Sequence, residues 1–500
     1  LWFIIFWELM TLFSQFLVAF ELRKEKAVKA AFKYFCMTKA GAEFIVLALI
    51  LIILKATKFN ANYSEIANVL PAYLSVHSTT LYTLTFALLI GLGVKAAMVP
   101  LHSWLPDAHP EAPSNVSALL SGIMIKLPIY MMFRFFLGFF PLKPEIGIVI
   151  AIFGILTLFF SMMYALLQED SKRLLAFSSI DNIGYILLPM GAGIYFLANG
   201  SQLFGGIALA AALFHTMNHA FFKGLLFLTA GSVMYETGTR DLNYLGSLAK
   251  KMPLTAFTAL IGSLAIAGIP PLNGFVSKWM IYISTLSSPA TSLFGIIAIF
   301  ISAVTLGTFV KYFTAIFTKP PVKEIDAKEV PLLMSASQLL LALFCIVFGI
   351  YPFIPLKMIS QALSSIGVPL ASLVVYPSLV VPKTGNYSPI IIFAFLLVST
   401  LIVLLLIPSR GEVVPTWKTG RSEDLNMSMP ADAYYRDFRE VFREVYTVGD
   451  ASKRFVQKIA EIGGMFGTKF EVLSYDLNSM LSIAVILIVI LVAVLGGVGL

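Results

Sequence analysis

Cysteine is almost absent from this 500-residue chain: Cys36 and Cys345 are the two present, and both lie inside apolar stretches. An iron–sulfur cluster takes more thiolates than that, and no CxxC spacing exists for a zinc or thiol-redox motif. Histidine is scarce too, with five residues in no recognised metal-binding pattern. No glycine-rich phosphate loop is found, which argues against an ATPase. No metal or cofactor site can be read here, so uphill work would draw its energy from elsewhere. Charge is also thin, at 12% of residues against about 25% in soluble domains. No basic stripe interleaved with aromatics stands out, so nucleic-acid binding is a poor reading. No charged n-region precedes the apolar run at Leu1; either upstream residues are missing or the start is unusual.

Apolar side chains fill the space those absences leave. They make up 58% of the chain, and long runs recur from end to end, the mark of a chain dissolved in lipid. Twelve candidate transmembrane helices can be drawn, at about 20 apolar residues each: 2–20, 31–54, 80–99, 114–136, 146–166, 176–197, 203–234, 254–284, 292–317, 331–352, 387–408 and 478–500. With the end of the first helix placed inside, 23 basic residues fall in loops on the cytoplasmic side and five on the other, as the positive-inside rule requires. The fold class expected is an all-α polytopic protein, multi-pass in the cell membrane. Between the last two spans, 409–477 carries apolar residues at helical steps, Tyr434, Phe438, Val441, Val445 and Val448 and then Phe455 to Leu473. That pattern predicts a long amphipathic helix lying along the membrane surface; an ordinary cytoplasmic tail is the alternative.

Seven basic residues remain at membrane depth: Lys39, Lys95, Lys126, Arg134, Lys223, Lys278 and Lys311. Each costs at least about 2.5–3.5 kcal/mol at the bilayer centre, so such residues face a bundle interior or a wet cavity. Arg134 and Lys311 lie near helix ends, where snorkelling explains them. Lys39 and Glu43 are four apart and suit a local ion pair. Glu8 sits between Trp7 and Leu9 and needs a partner. Lys95 comes late in a span that runs into GLGVKAAMVPLHSWLPDAHPEAPS. Glycine and proline there suggest a broken helix, whose freed carbonyls would suit a cation. Lys126 follows in SALLSGIMIKLPIYMMFRFF. His215, His219 and Lys223 recur every four residues in ALFHTMNHAFFKGLLFLTAGSV, on one helix face, spaced like a proton wire; metal binding or polar helix packing are the alternatives. Lys278 follows Pro270–Pro271 in SLAIAGIPPLNGFVSKWMIY, a second interrupted span with a lysine at depth. His102, Asp107, His109 and Glu111 cluster in a proline-rich turn at the membrane edge, where a structural loop or a proton inlet fits better than catalysis.

At these motifs the chain resembles the antiporter-like subunits of respiratory complex I, of multisubunit sodium/proton antiporters and of energy-converting membrane-bound hydrogenases. The likeness covers Lys95 to Ser114, His215 to Val233 and Gly268 to Lys278, in the family's order. PTWKTG at Pro415 is similar to a segment of the hydrogenase-linked members, which points to a membrane-bound hydrogenase or sulfur-reducing complex of an archaeon or bacterium. The resemblance implies inverted five-helix repeats, each with a broken helix. On that scheme 1–136 is an incomplete first repeat, 146–317 the second, 331–408 two further spans, 409–477 the lateral helix and 478–500 a terminal anchor. It implies a glutamate–lysine pair at Glu8 and Lys95, a connecting Lys126, a central row of His215, His219 and Lys223, and a terminal Lys278. The function implied is movement of protons, or exchange of sodium for protons, with no redox chemistry in this chain. The partners implied are lipid, other membrane subunits and a redox module bearing iron–sulfur clusters. A stand-alone exchanger and a non-pumping scaffold are the rivals.

Overall fold

A computed structural model describes residues 2–57, 62–323, 325–368, 374–375, 378–381, 385–406, 430–443 and 445–446. Helices dominate. The first group is α1 (Trp2–Val18), α2 (Glu25–Lys55), α3 (Tyr63–Val76), α4 (Ser78–Ala96), α5 (Leu105–Glu111), α6 (Ser114–Leu119) and α7 (Lys126–Phe133). A second group follows: α8 (Pro144–Leu166), α9 (Ser171–Ala198), α10 (Gln202–Thr237), α11 (Pro253–Ala267), α12 (Asn273–Leu286) and α13 (Pro289–Phe317). Then come α14 (Leu332–Ile350), α15 (Phe353–Ser364), α16 (Pro389–Leu406) and α17 (Arg436–Val441).

Among the described residues, eight helices are long and apolar enough to cross a membrane. The other four expected spans differ for separate reasons. Residues 2–20 yield only the 17-residue α1. The span drawn at 203–234 is the 36-residue α10, whose histidines, Asn218 and Lys223 dilute its apolar character. Residues 254–284 are split, because α11 stops at Gly268 with φ +80 and the prolines that follow give no N–H to a helix. The fourth, 478–500, lies outside the described residues. Turns of π-helix at Leu120–Met124 and Arg134–Phe139 flank α7, so the span 114–139 is not a uniform α-helix.

The expected all-α membrane fold is the one observed, with one small addition at 374–387. There three short strands, β1 (Val374–Val375), β2 (Ser378–Val381) and β3 (Gly385–Tyr387), form an antiparallel sheet, with Val375 opposite Ser378 and Val380 opposite Asn386. β-Branched residues between turn formers favour strands, a signal too short to register among the spans. Of the expected lateral helix, the described part holds a 3-10 turn (Ala431–Tyr434) and the six-residue α17; the remainder lies outside the described residues.

Packing fixes α9, which brings Ser178 and Asn182 to the side chains of α10. Asp170 caps its start, accepting from the amides of Lys172 and Arg173 at 2.9 and 3.0 Å. Along its length α9 lies against α8 through glycines at close approach, as small residues allow between membrane helices. A Cβ on Gly184 would stand 2.5 Å from the Leu158 amide nitrogen and 2.6 Å from the Gly154 carbonyl. Those are backbone atoms, which cannot swing aside. Gly184→Ala is therefore expected to destabilise the folded protein by about 1–3 kcal/mol, read as a lower unfolding midpoint in mild detergent.

Candidate functional site

The ionisable residues singled out from sequence lie mostly inside the helix bundle. Lys95, on the last turn of α4, is 1% exposed. Its ammonium donates to the Thr11 hydroxyl at 2.9 Å and to the Tyr34 hydroxyl at 2.7 Å. Tyr34 in turn shares a hydrogen bond with Ser14. Glu8 is not bonded to Lys95. It accepts from Lys39 at 2.9 Å, and Lys39 also reaches Glu43 at 3.0 Å. The local pair read at Lys39–Glu43 is thus a three-member group straddling α1 and α2. Glu8 stays near enough for its charge to act on Lys95 through space. The register of α1 on α2 places Thr11, one turn beyond Glu8, against the lysine.

Lys126 donates to the carbonyl of Ser121 across the widened π turn, and the Ser121 hydroxyl is 2.8 Å from that of Ser179 on α9. On α10, His215 bridges Asn182 Oδ1 at 3.0 Å and the Ser277 hydroxyl at 2.9 Å, tying α9 to α12. Asn218 joins the same cluster through Ser277 and the Asn273 carbonyl. One turn further, His219 is wholly buried, and neither ring nitrogen has a hydrogen-bond partner among the described residues. Lys223 donates to the Ser178 hydroxyl and, at 3.0 Å, to the Leu175 carbonyl. Lys278 lies over the Tyr185 ring at 4.6 Å and donates to Ser302 at 3.2 Å and to the Ala267 carbonyl at 3.4 Å. That carbonyl is freed where α11 ends, as a broken helix should provide. A Cβ on Gly268 would come within 2.9 Å of Lys278 Cδ, so the glycine leaves room for the lysine stem.

Two further residues depart from the sequence reading. Asp181, on α9, does not figure among the basic residues at depth, yet its signal is present: a carboxylate in the middle of a span obeys the same cost argument as a lysine. It is wholly buried, with Oδ2 accepting from Asn182 at 3.3 Å and Oδ1 unpartnered among the described residues. It lies within electrostatic reach of both Lys223 and Lys278. Lys311, read as snorkelling, is instead buried. It donates to the Leu166 and Gln168 carbonyls at 2.6 Å each, at the C-terminal end of α8, where a cation meets unpaired carbonyls and the negative end of the helix dipole. Arg134 does sit at a helix end, over the rings of Tyr63 and Phe139.

The proline-rich turn is pinned by ion pairs. Asp107 takes Lys33 at 2.6 Å and Arg173 at 2.8 Å, and Glu111 takes Arg240 at 2.9 Å. Burial pushes His102, in this turn, down to about 4.

The NADH:quinone oxidoreductase/Mrp antiporter transmembrane family matches residues 1–305, more than half of the chain. The chain belongs to that family. Hydrogenase-4 component B of Escherichia coli is 38% identical over 364 residues, 70% of this chain and 53% of that protein. An Na(+)/H(+) antiporter subunit from Alkalihalophilus pseudofirmus is 36% identical over 366 residues, 70% of this chain and 44% of its own length. The chain thus spans about half the length of the curated relatives it matches. Among solved structures, the membrane-bound sulfane sulfur reductase, an archaeal respiratory membrane complex, superposes with a TM-score of 0.74 at 26% identity, covering 97% of this chain and 80% of that one. The Mrp complex from Dietzia sp. superposes at 0.64 and 25% identity, covering 74% and 76%. This antiporter-family chain is a multi-pass membrane protein, and its relatives are subunits of multisubunit membrane complexes.

Proposed function

We propose that this chain conducts protons across the membrane as one subunit of a redox-driven complex, along Lys95, Lys126, His215, His219, Lys223 and Lys278, with Asp181 as the shared counter-charge. The observation that carries this reading is the burial of Lys95, His215, His219, Lys223, Asp181 and Lys278 within one bundle, with His215 and Lys223 held by hydroxyl and amide groups of α9 and α12 and Lys95 by hydroxyls of α1 and α2. Such groups hold a cation in a dry interior at lower cost than hydrocarbon does. Glu8 acts at the near end. A carboxylate beside a buried ammonium favours its charged form, so moving Glu8 between Lys39 and Lys95 would alternately hold and release a proton on Lys95. A partner protein, proposed to carry iron–sulfur clusters, supplies the drive; each charge moved against 100 mV needs about 2.3 kcal/mol.

A second reading, exchange of sodium for protons, is favoured by the likeness to the Na(+)/H(+) antiporter of Alkalihalophilus pseudofirmus. Membrane vesicles holding the native assembly separate the two. Under the lead reading, adding reductant changes internal pH at full rate in sodium-free buffer, and the signal vanishes in a strain lacking this chain. A strict sodium requirement would favour exchange. A full signal without the chain would end both.

A further inference from the structure

The proposed row needs a route to water on the loop side, and Lys223 and His219 are wholly buried. Beside the row lies a recess of about 590 Å³, lined in part by Glu111, Ser114, Lys172, Ser232, Arg240 and Gln338. A second recess of about 440 Å³ shares Glu111 and Arg240 with it and extends over Glu169, Asp170 and Asp241. Both lie on the face that the loop charges assign to the cytoplasm. The larger recess is walled mostly by apolar groups with charged side chains set among them, and the smaller one is about evenly mixed; both open outward, so water reaches Glu111, Lys172 and Arg240.

His109 stands immediately behind this wall. It precedes the lining segment Pro110–Asn115 by one residue and stacks on Phe227, the neighbour of lining Leu228, with ring centroids 4.6 Å apart. It is 0% exposed, and neither ring nitrogen has a hydrogen-bond partner among the described residues. Leaving such a group unpaired costs about 1–3 kcal/mol. Its main chain, by contrast, is held firmly. Ser117 donates to the His109 carbonyl at 3.0 Å, Arg240 to the Pro110 carbonyl and Lys172 to the Ala112 carbonyl. The ring is therefore fixed in place while its proton-carrying atoms stay uncommitted. The positive charges of Lys172 at the recess and of Lys126 and Lys223 inside all act on it.

We propose that His109 is the loop-side proton port, passing protons between water in the Glu111–Lys172–Arg240 recess and the Lys126–Lys223 part of the row. The step is a plain relay. One free ring nitrogen binds a proton from water on one side, the other releases its own toward the row, and no electron moves. The inference rests on the conduction reading above.

Vesicles carrying the assembled complex test it, with Lys223→Ala run alongside. A positioned proton-transfer group contributes about 10²–10⁴-fold, so His109→Ala and His109→Phe should each slow the pH change by about tenfold or more. Added imidazole, small enough for the vacated space, should restore the alanine variant but not the phenylalanine one, whose ring fills it. A native rate in His109→Phe, or no imidazole rescue of His109→Ala, overturns the port. Should neither variant assemble, His109→Gln decides by its rate: a tenfold loss supports the port and a native rate overturns it. If Lys223→Ala also conducts at the native rate, the conduction reading itself fails. If Lys223→Ala is silent and His109→Phe normal, the port alone is wrong.

Discussion

Proton translocation should fall about 100-fold when Lys278 is replaced by methionine, the scale on which a positioned proton carrier contributes, with the altered chain still inserted and its partners still turning over. Methionine keeps most of the stem that packs beside Gly268 and removes only the ammonium that lies over Tyr185 and donates to Ser302 and the Ala267 carbonyl. The loss would thus belong to the charge and not to the packing. The check is the initial rate of internal pH change in vesicles, divided by the rate of the redox reaction measured in the same sample. A ratio equal to that of the unaltered protein would remove Lys278 from the path and leave the rest of the row without an outlet.

Asp181→Asn should be as damaging, although asparagine has almost the same shape. The carboxyl group is buried and lies within electrostatic reach of both Lys223 and Lys278. With an amide in its place two cations share a dry compartment without that anion, an arrangement that low dielectric penalises heavily. A drop of about 100-fold in the same vesicle ratio is expected, by the same reasoning about positioned proton groups. Asp181→Glu retains the charge and should recover a large part of the rate. Equal rates in the asparagine and aspartate forms would show that the carboxylate is merely tolerated at this depth.

These two residues illustrate what can be read without coordinates. Lys278 is legible because an ammonium inside an apolar run is conspicuous and because Pro270–Pro271 announce a broken helix. Asp181 obeys the same rule and escapes a reading that follows one sign of charge. The His215–His219–Lys223 spacing is legible as well, since four-residue steps on a helix need no tertiary knowledge. The bonding of Glu8 to Lys39 is not, because it depends on how α1 slides along α2, and a shift of one turn exchanges one lysine for another. Lys311 is hidden for a related reason. A position near a helix end says nothing of whether another helix presents its carbonyls there, as α8 does. Five-helix repeats remain a reading of the resemblance, whereas the interruption between α11 and α12 is visible in both sequence and backbone.

The wide turns on either side of α7 have a mechanical consequence. Each stores one surplus residue in a helix otherwise wound at 3.6 residues per turn, and between them lies an eight-residue cylinder bearing Lys126 at its head. Passing a surplus residue from one turn to the other would spin that cylinder by about 100° and advance it by about 1.5 Å. Ser114 and Phe139, at the outer ends, need not move. Such a transfer would re-aim Lys126 inside the bundle by local rewinding alone, without requiring α7 to leave its place between the two turns.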